Sequence, residues 1–240
     1  MSSKFGFLSK INFLQDFASV VIAGLNPAIV HNLGKYMALK KVHYLSAIED
    51  IEDIEGDYIE FGVYTGSSFC HSIRCVKKLA KINSSIISTS FYGFDSFEGF
   101  GELIDEDSHP LYEDSNFEAS YEKVNSRVKK IGKDINYKLI KGFFNDSLAP
   151  GAESYGIKKS RIVFIDSDTY NSAIDALLFV LPTIQEGSYI ILDDYFSYKG
   201  SKAHGVARPF SEFLEQGKLT VRRVLNYGMG GAAFVISGVK

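Results

Sequence analysis

The chain contains little cysteine and no large excess of charge of either sign. Only two cysteines, Cys70 and Cys75, occur in 240 residues, which excludes a disulfide framework and favours a reducing compartment. The net charge of -3 offers no attraction to the phosphate backbone of nucleic acids, so we predict no nucleic-acid partner. The hydrophobic content of 45% is enough to bury one large core or two small ones.

The chain also lacks an apolar run long enough to cross a bilayer. The stretch FASVVIAGL at residues 17–25 is far shorter than a membrane-spanning helix. Asp16 precedes it, and the sequence has neither a strongly basic start nor a clear small-residue cleavage site, so the stretch does not read as a signal peptide. We therefore predict a packed helix, no membrane span and a cytoplasmic protein.

Two regions differ in their patterning. Residues 1–56 predict helices interrupted near Asn26 and Pro27, which either cover one end of a sheet or form a dimer contact. From Asp57, β-rich runs alternate with amphipathic helices, as is typical of a parallel α/β sheet. The predicted strands are 58–63, 88–95, 135–142, 161–166, 188–194, 219–227 and 232–237, and helices are predicted to about residue 79 and at 117–131, 172–181 and 206–216. The sequence therefore predicts a Rossmann-like, doubly wound, mostly parallel seven-stranded sheet over residues 57–240, with an antiparallel C-terminal hairpin.

Four aspartates follow two of the predicted strands. Asp166 and Asp168 lie in IVFIDSDTY, and Asp193 and Asp194 lie in YIILDDYF. Ligands bind at the carboxyl ends of parallel strands, and carboxylates that converge there repel one another unless a cation or a proton intervenes. Carboxylate oxygens suit hard ions such as Mg²⁺ or Ca²⁺, so the pattern predicts a metal-assisted site. The alternative for Asp193 and Asp194 is a turn followed by a helix cap.

A glycine-containing turn follows the first predicted strand. EFGVYTGSS places Gly62 and Gly66 where the backbone can approach a ligand closely, although a tight turn without a ligand is the alternative. Asp95 ends the second strand, where an acid binds ribose hydroxyls in nucleotide-binding sheets or forms a turn with its own backbone. Glu60, inside the first strand, needs partners if it is buried, and a ligand ammonium or backbone amides would provide them.

Five blocks of the sequence together resemble the macrocin O-methyltransferase family. They are YIEFGVYTGSS, YGFDSFEGF, KGFFNDSL, VFIDSDTYNSAIDAL and GSYIILDDY, and they lie in the family's order within residues 57–215. The resemblance implies a class I methyltransferase that uses S-adenosylmethionine and a divalent metal to methylate sugar hydroxyls, as in macrolide and aminocoumarin biosynthesis. It implies a methyltransferase domain over residues 57–240 and a small-molecule sugar or glycoside acceptor.

The resemblance also implies roles for individual residues. The cofactor-binding residues would be Glu60, Gly62, Val63, Gly66 and Ser67 around the methionine part, Asp95 and Ser96 at the ribose, and Gly142 and Phe143 beside the adenine. Asp166, Asp193 and Asp194 would hold Mg²⁺, with Asp166 also counted as catalytic and as cofactor-binding. Asp168 would be the general base.

The sequence departs from the family pattern in three places. The run GSKAHGVARPFSEF replaces a basic, alanine-containing helix, so Pro209 must lie in the first turn of that helix or kink it. Phe164 stands where the family usually has histidine. The segment after Gly99 also diverges, and since that loop shapes the acceptor pocket in the family, the identity of the acceptor is left open.

Several alternatives remain open from the sequence. Asp168 is either the base or the N-cap of a helix that starts near Asn171, and His109 and His204 are alternative bases. Residues 98–114 predict either a lid over the acceptor or a solvated loop. A NAD(P)-dependent oxidoreductase and a non-catalytic binding module are the competing classes, although the first lacks its three-glycine fingerprint and the second would be expected to lose the aspartates. We also expect a homodimer.

Overall fold

A seven-stranded sheet organises the chain in the computed structural model, which describes residues 12–47, 54–100, 117–199, 201 and 203–240. The strands are β1 (Asp57–Phe61), β2 (Phe91–Asp95), β3 (Tyr137–Lys141), β4 (Ser160–Ile165), β5 (Tyr189–Leu192), β6 (Leu219–Tyr227) and β7 (Gly231–Val239). Their order is β3-β2-β1-β4-β5-β7-β6; the first five are parallel, and β7 runs antiparallel to both β5 and β6. The predicted sheet and its C-terminal hairpin are confirmed.

The order of the strands reverses between β1 and β4. The chain moves outward from β1 through β2 to β3 and then returns to place β4 against the other side of β1. In open parallel sheets the crevice at such a reversal, outside the carboxyl ends of the strands, is where ligands bind. The turns that follow β1 and β4 are therefore the expected place of a ligand-binding site.

Helices cover both faces of the sheet. They are α1 (Asn12–Ala23), α2 (Pro27–Leu45), α3 (Ser67–Leu79), α4 (Tyr121–Ile131), α5 (Phe144–Ser147), α6 (Tyr170–Val180) and α7 (Ala207–Gln216), with short 3-10 turns at Ser84–Ser88, Ala152–Tyr155 and Leu181–Thr183. Asn26 caps α2 by accepting a hydrogen bond from the backbone N–H of Ala28 at 2.8 Å, and Pro27 supplies the first helical residue. The predicted break at Asn26 and Pro27 is therefore the start of α2.

Two predicted boundaries were wrong for identifiable reasons. The second strand begins at Phe91, because the residues just before it form the 3-10 turn Ser84–Ser88. The helix expected from Phe117 begins at Tyr121, because the Ser120 side chain accepts a hydrogen bond from the Lys123 backbone N–H and caps it. Pro209 lies in the first turn of α7, one of the two positions expected for it.

The alternation of side chains along each strand builds one apolar core on each face of the sheet. Ile59 and Ile165 face α6 and α7, whereas Tyr58 and Phe164 face the side covered by α2, α3 and α4. Buried core residues on the first face include Phe61, Phe94, Leu177, Phe210 and Phe213, and those on the second include Leu39, Val42, Phe69, Phe91 and Val128. The sheet is thus buried on both faces, which explains the near-continuous apolar runs of its central strands.

The N-terminal helices present apolar side chains to solvent. Ile29, Leu33 and Met37 recur at every fourth residue of α2 and are half or more exposed, and most of the large apolar residues of α1 are exposed as well. Within the described residues no single helix is long and apolar enough to cross a bilayer; residues 16–23 and 27–45 reach that level only as a pair, and the pair is bent by 101°. The homodimer contact and the domain boundary at residue 56 stay predictions.

Candidate active site

A cavity of about 1560 Å³ opens at the carboxyl edge of the sheet, where the strand order reverses. The turns after β1, β2, β4 and β5 line it, together with the first half of α2. Predicted site residues in its wall are Gly62, Val63, Ser67, Asp95, Ser96, Phe143, Asp166, Asp168, Asp193 and Asp194. The structure therefore brings ten of the predicted residues into one space, whereas Glu60, Gly66 and Gly142 do not line it.

The turn after β1 requires glycine at two positions. Gly62 has a φ of +87°, and a Cβ atom there would lie 1.9 Å from the carbonyl oxygen of Asp166. Gly66 has a φ of +75°, immediately precedes α3, and would meet Val124 at 3.0 Å. Both are conformations that favour glycine, and the first glycine allows the turns after β1 and β4 to touch.

Asp95 connects the glycine turn to the end of β2. Its carboxylate accepts hydrogen bonds from the backbone N–H groups of Tyr64 at 2.7 Å and of Phe97 at 2.6 Å. The hydrogen bond from Phe97 closes an Asx turn, which was the alternative prediction for Asp95. Asp95 nevertheless lines the cavity, so the ribose role stays a prediction.

Glu60 is fully buried beneath the cavity, and its partners are hydroxyl groups of the protein. Tyr58 donates a hydrogen bond to one carboxylate oxygen, and Ser68 donates to the other at 2.6 Å. Burial raises the pKa of Glu60 from 4.5 to about 8, although both hydroxyls and Lys35 oppose that rise. The expected partners, a ligand ammonium or backbone amides, are therefore replaced in this structure by two side-chain hydroxyls.

The segment after β3 lies beside the end of β2. The Gly142 backbone N–H donates to the carbonyl oxygen of Asp95 at 3.0 Å, and Gly142 has a φ of +151°. Phe143 follows, is 38% exposed and lines the cavity. An exposed aromatic ring at this edge suits a flat heterocyclic ligand, and the predicted adenine contact stays a prediction.

Asp166, Asp168 and Asp194 form the acid cluster. Each offers one carboxylate oxygen, and these three oxygens lie within 4.8 Å of one another. Burial first, and then the neighbouring Asp194, raise the pKa of Asp168 well above its usual range. The donors are all carboxylate oxygens, which is the kind of ligand that a hard divalent cation prefers.

The cluster is shaped by local backbone geometry. Asp168 has a φ of +60°, an uncommon conformation for a residue with a side chain. The N-cap of α6 is Thr169, whose hydroxyl accepts from the Ser172 backbone N–H at 3.3 Å, so Asp168 does not cap that helix. Asp194 does form a turn, with Ser197 donating to its carboxylate at 2.8 Å, but α7 begins only at Ala207.

Asp193 is hydrogen-bonded to residues of α2 and β6. Its oxygen Oδ2 accepts hydrogen bonds from His31 Nε2 at 2.8 Å and from Lys35 Nζ at 2.6 Å, and its Oδ1 accepts from the Tyr227 hydroxyl at 2.6 Å. Burial would raise the pKa of Asp193, but Lys35 and His31 outweigh it and hold that pKa well below the usual range. Asp193 was predicted as a metal ligand; that role stays a prediction, and both of its oxygens already have partners.

His31, Lys35 and Tyr227 are site residues that sequence reasoning missed. His31 and Lys35 stand four residues apart on α2, so they lie on one helical face, and Met229 donates its backbone N–H to His31 Nδ1 at 3.1 Å. The available signal was the spacing of these two basic residues, which places them on one face of the predicted helix. It could not be connected to the aspartates, because more than 130 residues separate Lys35 from Asp166 along the chain.

His204, one of the alternative bases, lies outside the cavity. His204 is exposed, stacks on Tyr198 with ring centroids 6.1 Å apart, and does not line the cavity. His109 and residues 101–116, which make up most of the predicted lid, lie outside the described residues.

The sheet order is that of the class I methyltransferase fold, and solved methyltransferases share it. CalS11, a calicheamicin methyltransferase, superposes with a TM-score of 0.67 at 16% identity, covering 91% of this chain and 85% of that one. TomG from Streptomyces achromogenes, solved with S-adenosylmethionine, gives 0.53 at 13% identity, covering 84% and 80%. At these identities the likeness shows the fold alone.

Residues 27–220 match the family model described as macrocin O-methyltransferase (TylF), and the chain belongs to this family. A curated relative, the tetracenomycin rhamnosyl 4'-O-methyltransferase of Streptomyces olivaceus, is 27% identical over 203 residues, covering 78% of this chain and 73% of the relative. The predicted family, fold and O-methyltransferase activity are confirmed. The competing oxidoreductase and non-catalytic classes are not supported.

Proposed function

We propose that this protein transfers the methyl group of S-adenosylmethionine to a hydroxyl group of a sugar moiety, with a divalent metal, Mg²⁺, assisting. The observation that carries the proposal is the acid cluster in the wall of the same cavity as the glycine turn. A curated relative that acts on a rhamnosyl group supports the sugar acceptor. The cavity volume of about 1560 Å³ accommodates a cofactor and an acceptor together.

The cofactor would lie along the ends of β1, β2 and β3. Gly62, Val63 and Ser67 line the cavity at the end of β1, Asp95 and Ser96 at the end of β2, and Phe143 after β3. These positions agree with a methionine part near the glycine turn, a ribose at Asp95 and an adenine at Phe143. The acceptor would then lie between the acid cluster and α2, since Asn26, His31 and Asn32 form that wall.

The acid cluster supplies two functions. Asp166 and Asp194, with Asp168, would hold Mg²⁺, which when bound supplies positive charge beside the acceptor oxygens. Asp168 would take the proton of the hydroxyl that is methylated. The carbon–sulfur bond of the sulfonium breaks as the carbon–oxygen bond forms, the electron pair returns to sulfur, and the proton leaves with the Asp168 carboxylate.

Positioning carries most of the rate enhancement in this proposal. The sulfonium methyl group is already activated, so alignment of the two reactants in one cavity contributes about 7–11 kcal/mol. A positioned base adds about 10²–10⁴-fold. Asp193 holds α2 against the site through His31 and Lys35, and thereby fixes the wall that orients the acceptor.

The test is a mass-spectrometric screen of glycosides incubated with the protein, S-adenosylmethionine and Mg²⁺. We expect a product heavier by one CH₂, lost with excess chelator and in Asp194→Asn, but retained in Asp146→Asn, which changes an exposed carboxylate outside the cavity. S-adenosylhomocysteine should raise the midpoint of thermal unfolding of all three proteins. Full activity in excess chelator would refute the metal role, and no thermal shift with S-adenosylhomocysteine would refute the cofactor.

A further inference from the structure

Lys35 contacts two of the four aspartates at the carboxyl edge of the sheet. Its ammonium nitrogen lies 2.7 Å from Asp166 Oδ2 and 2.6 Å from Asp193 Oδ2. It also lies 5.7 Å from the centroid of the Phe164 ring, and the Lys35 side chain is only 12% exposed. Two carboxylates and an aromatic face thus surround one ammonium group that is nearly excluded from water.

This arrangement differs from a surface ion pair. Exposed lysine–carboxylate pairs contribute little, because water screens both charges. The Asp193 side chain is 4% exposed and that of Asp166 21%, so removal of the ammonium would leave two carboxylates together in a poorly solvated place. Breaking a buried pair by removing one partner is strongly destabilising for that reason.

Lys35 also separates the four aspartates into two groups. Lys35, His31 and Tyr227 engage both oxygens of Asp193. One oxygen from each of Asp166, Asp168 and Asp194 lies within 4.8 Å of the other two. One oxygen of Asp166 faces Lys35, which makes Asp166 the residue shared by the two groups.

We propose that Lys35 is the resident cation of this site: a positioning residue that holds Asp193 and one oxygen of Asp166 and leaves a single divalent-cation position at Asp166, Asp168 and Asp194. The divalent-cation position rests on the proposed function. The role of Lys35 as the cation between Asp193 and Asp166 does not. Phe164, which stands where the family usually has histidine, adds no positive charge of its own, and its ring lies beneath the ammonium.

The positive charge of Lys35 should weaken the binding of Mg²⁺ at the divalent position. A fixed positive charge within a few ångströms of the divalent position opposes a second cation there, and the opposition is strong at the effective dielectric of a partly buried site. Removal of the Lys35 charge should therefore tighten Mg²⁺ binding. If Lys35 served only to pack α2 against the sheet, its removal would leave the affinity for Mg²⁺ unchanged or weaken it.

The first experiment measures Mg²⁺ binding by calorimetry in the full-length protein. Lys35→Met should lower the Kd for Mg²⁺ by at least about tenfold. Lys35→Arg, which keeps the charge, and Lys41→Met, which removes an exposed charge from the same helix, should bind as the wild type does. Equal or weaker binding by Lys35→Met would overturn the proposal for the divalent position.

The second experiment needs no metal. In excess chelator, Lys35→Met should raise the equilibrium constant for unfolding by about 10²-fold, and a second change, Asp193→Asn, should recover most of that loss because one uncompensated charge is gone. Additive effects of the two substitutions would overturn the resident-cation role. If no protein binds Mg²⁺ but the two substitutions are coupled, the metal in the proposed function is wrong and Lys35 remains the cation of the site.

Discussion

Glu60 makes the stability of this protein depend on pH in a direction opposite to that of most carboxylates. Burial raises its pKa from 4.5 to about 8, so the folded protein binds this proton more tightly than the unfolded chain does. The stability that the protonated Glu60 contributes is fully present below about pH 4.5 and is lost as the pH rises toward about 8. We expect Glu60→Gln, which is uncharged at every pH, to abolish this loss.

The magnitude follows from the difference between the two pKa values. At about 1.4 kcal/mol per pKa unit, the free energy of unfolding of the wild type should fall relative to that of Glu60→Gln by up to about 4 kcal/mol between about pH 5 and about pH 8. The value is an upper limit, because water that reaches the carboxylate would reduce it. Near pH 5 the two proteins should differ little, since the amide and the protonated acid have the same shape.

The assay is urea unfolding followed by circular dichroism, since the chain has no tryptophan to report by fluorescence. Glu215→Gln, at an exposed carboxylate, is the control and should show no pH-dependent difference from the wild type. A difference between Glu60→Gln and the wild type that stays constant from pH 5 to pH 8 would refute the reasoning. The same variant also tests the predicted cofactor role of Glu60, because a contact with a ligand ammonium should cost S-adenosylhomocysteine affinity.

Three further predictions concern the site, the sheet and the N-terminal helices. Asp168→Asn should lower kcat by about 10²–10⁴-fold and keep the thermal shift caused by S-adenosylhomocysteine; an unchanged kcat would exclude the base role. Gly62→Ala should lower the free energy of unfolding in urea by more than about 4 kcal/mol, because its Cβ would lie 1.9 Å from the Asp166 carbonyl oxygen. The control Gly151→Ala has a φ of +77° but open space around it, and it should lower that free energy by only about 1–2 kcal/mol. Similar losses of stability in the two variants would show that the contact between Gly62 and the Asp166 carbonyl oxygen does not require glycine. If the exposed stripe of α2 forms the expected homodimer, Leu33→Glu should yield a monomer by light scattering, and a monomeric wild type would contradict the dimer.

The sequence by itself determined the sheet and the edge at which the site lies. Apolar runs alternate with amphipathic helices, which predicts parallel strands, and the carboxyl ends of parallel strands share one edge. Asp95, Asp166 and Asp194 each follow or end such a run, so their meeting in one cavity could be predicted without coordinates. The glycine turn was predictable for the same reason, because it follows β1 directly.

The tertiary structure alone decided which partners the acids have. Asp193 and Asp194 are neighbours in the chain, yet one contacts α2 and β6 and the other contacts the acid cluster, because successive side chains at the end of a strand point to different sides. Lys35 lies on a helix that the pattern placed near the sheet but not at a particular edge of it. The way α2 packs across the sheet decides which carboxylate the Lys35 ammonium contacts. The two partners are more than a hundred residues apart in the chain, so no local sequence pattern records their contact.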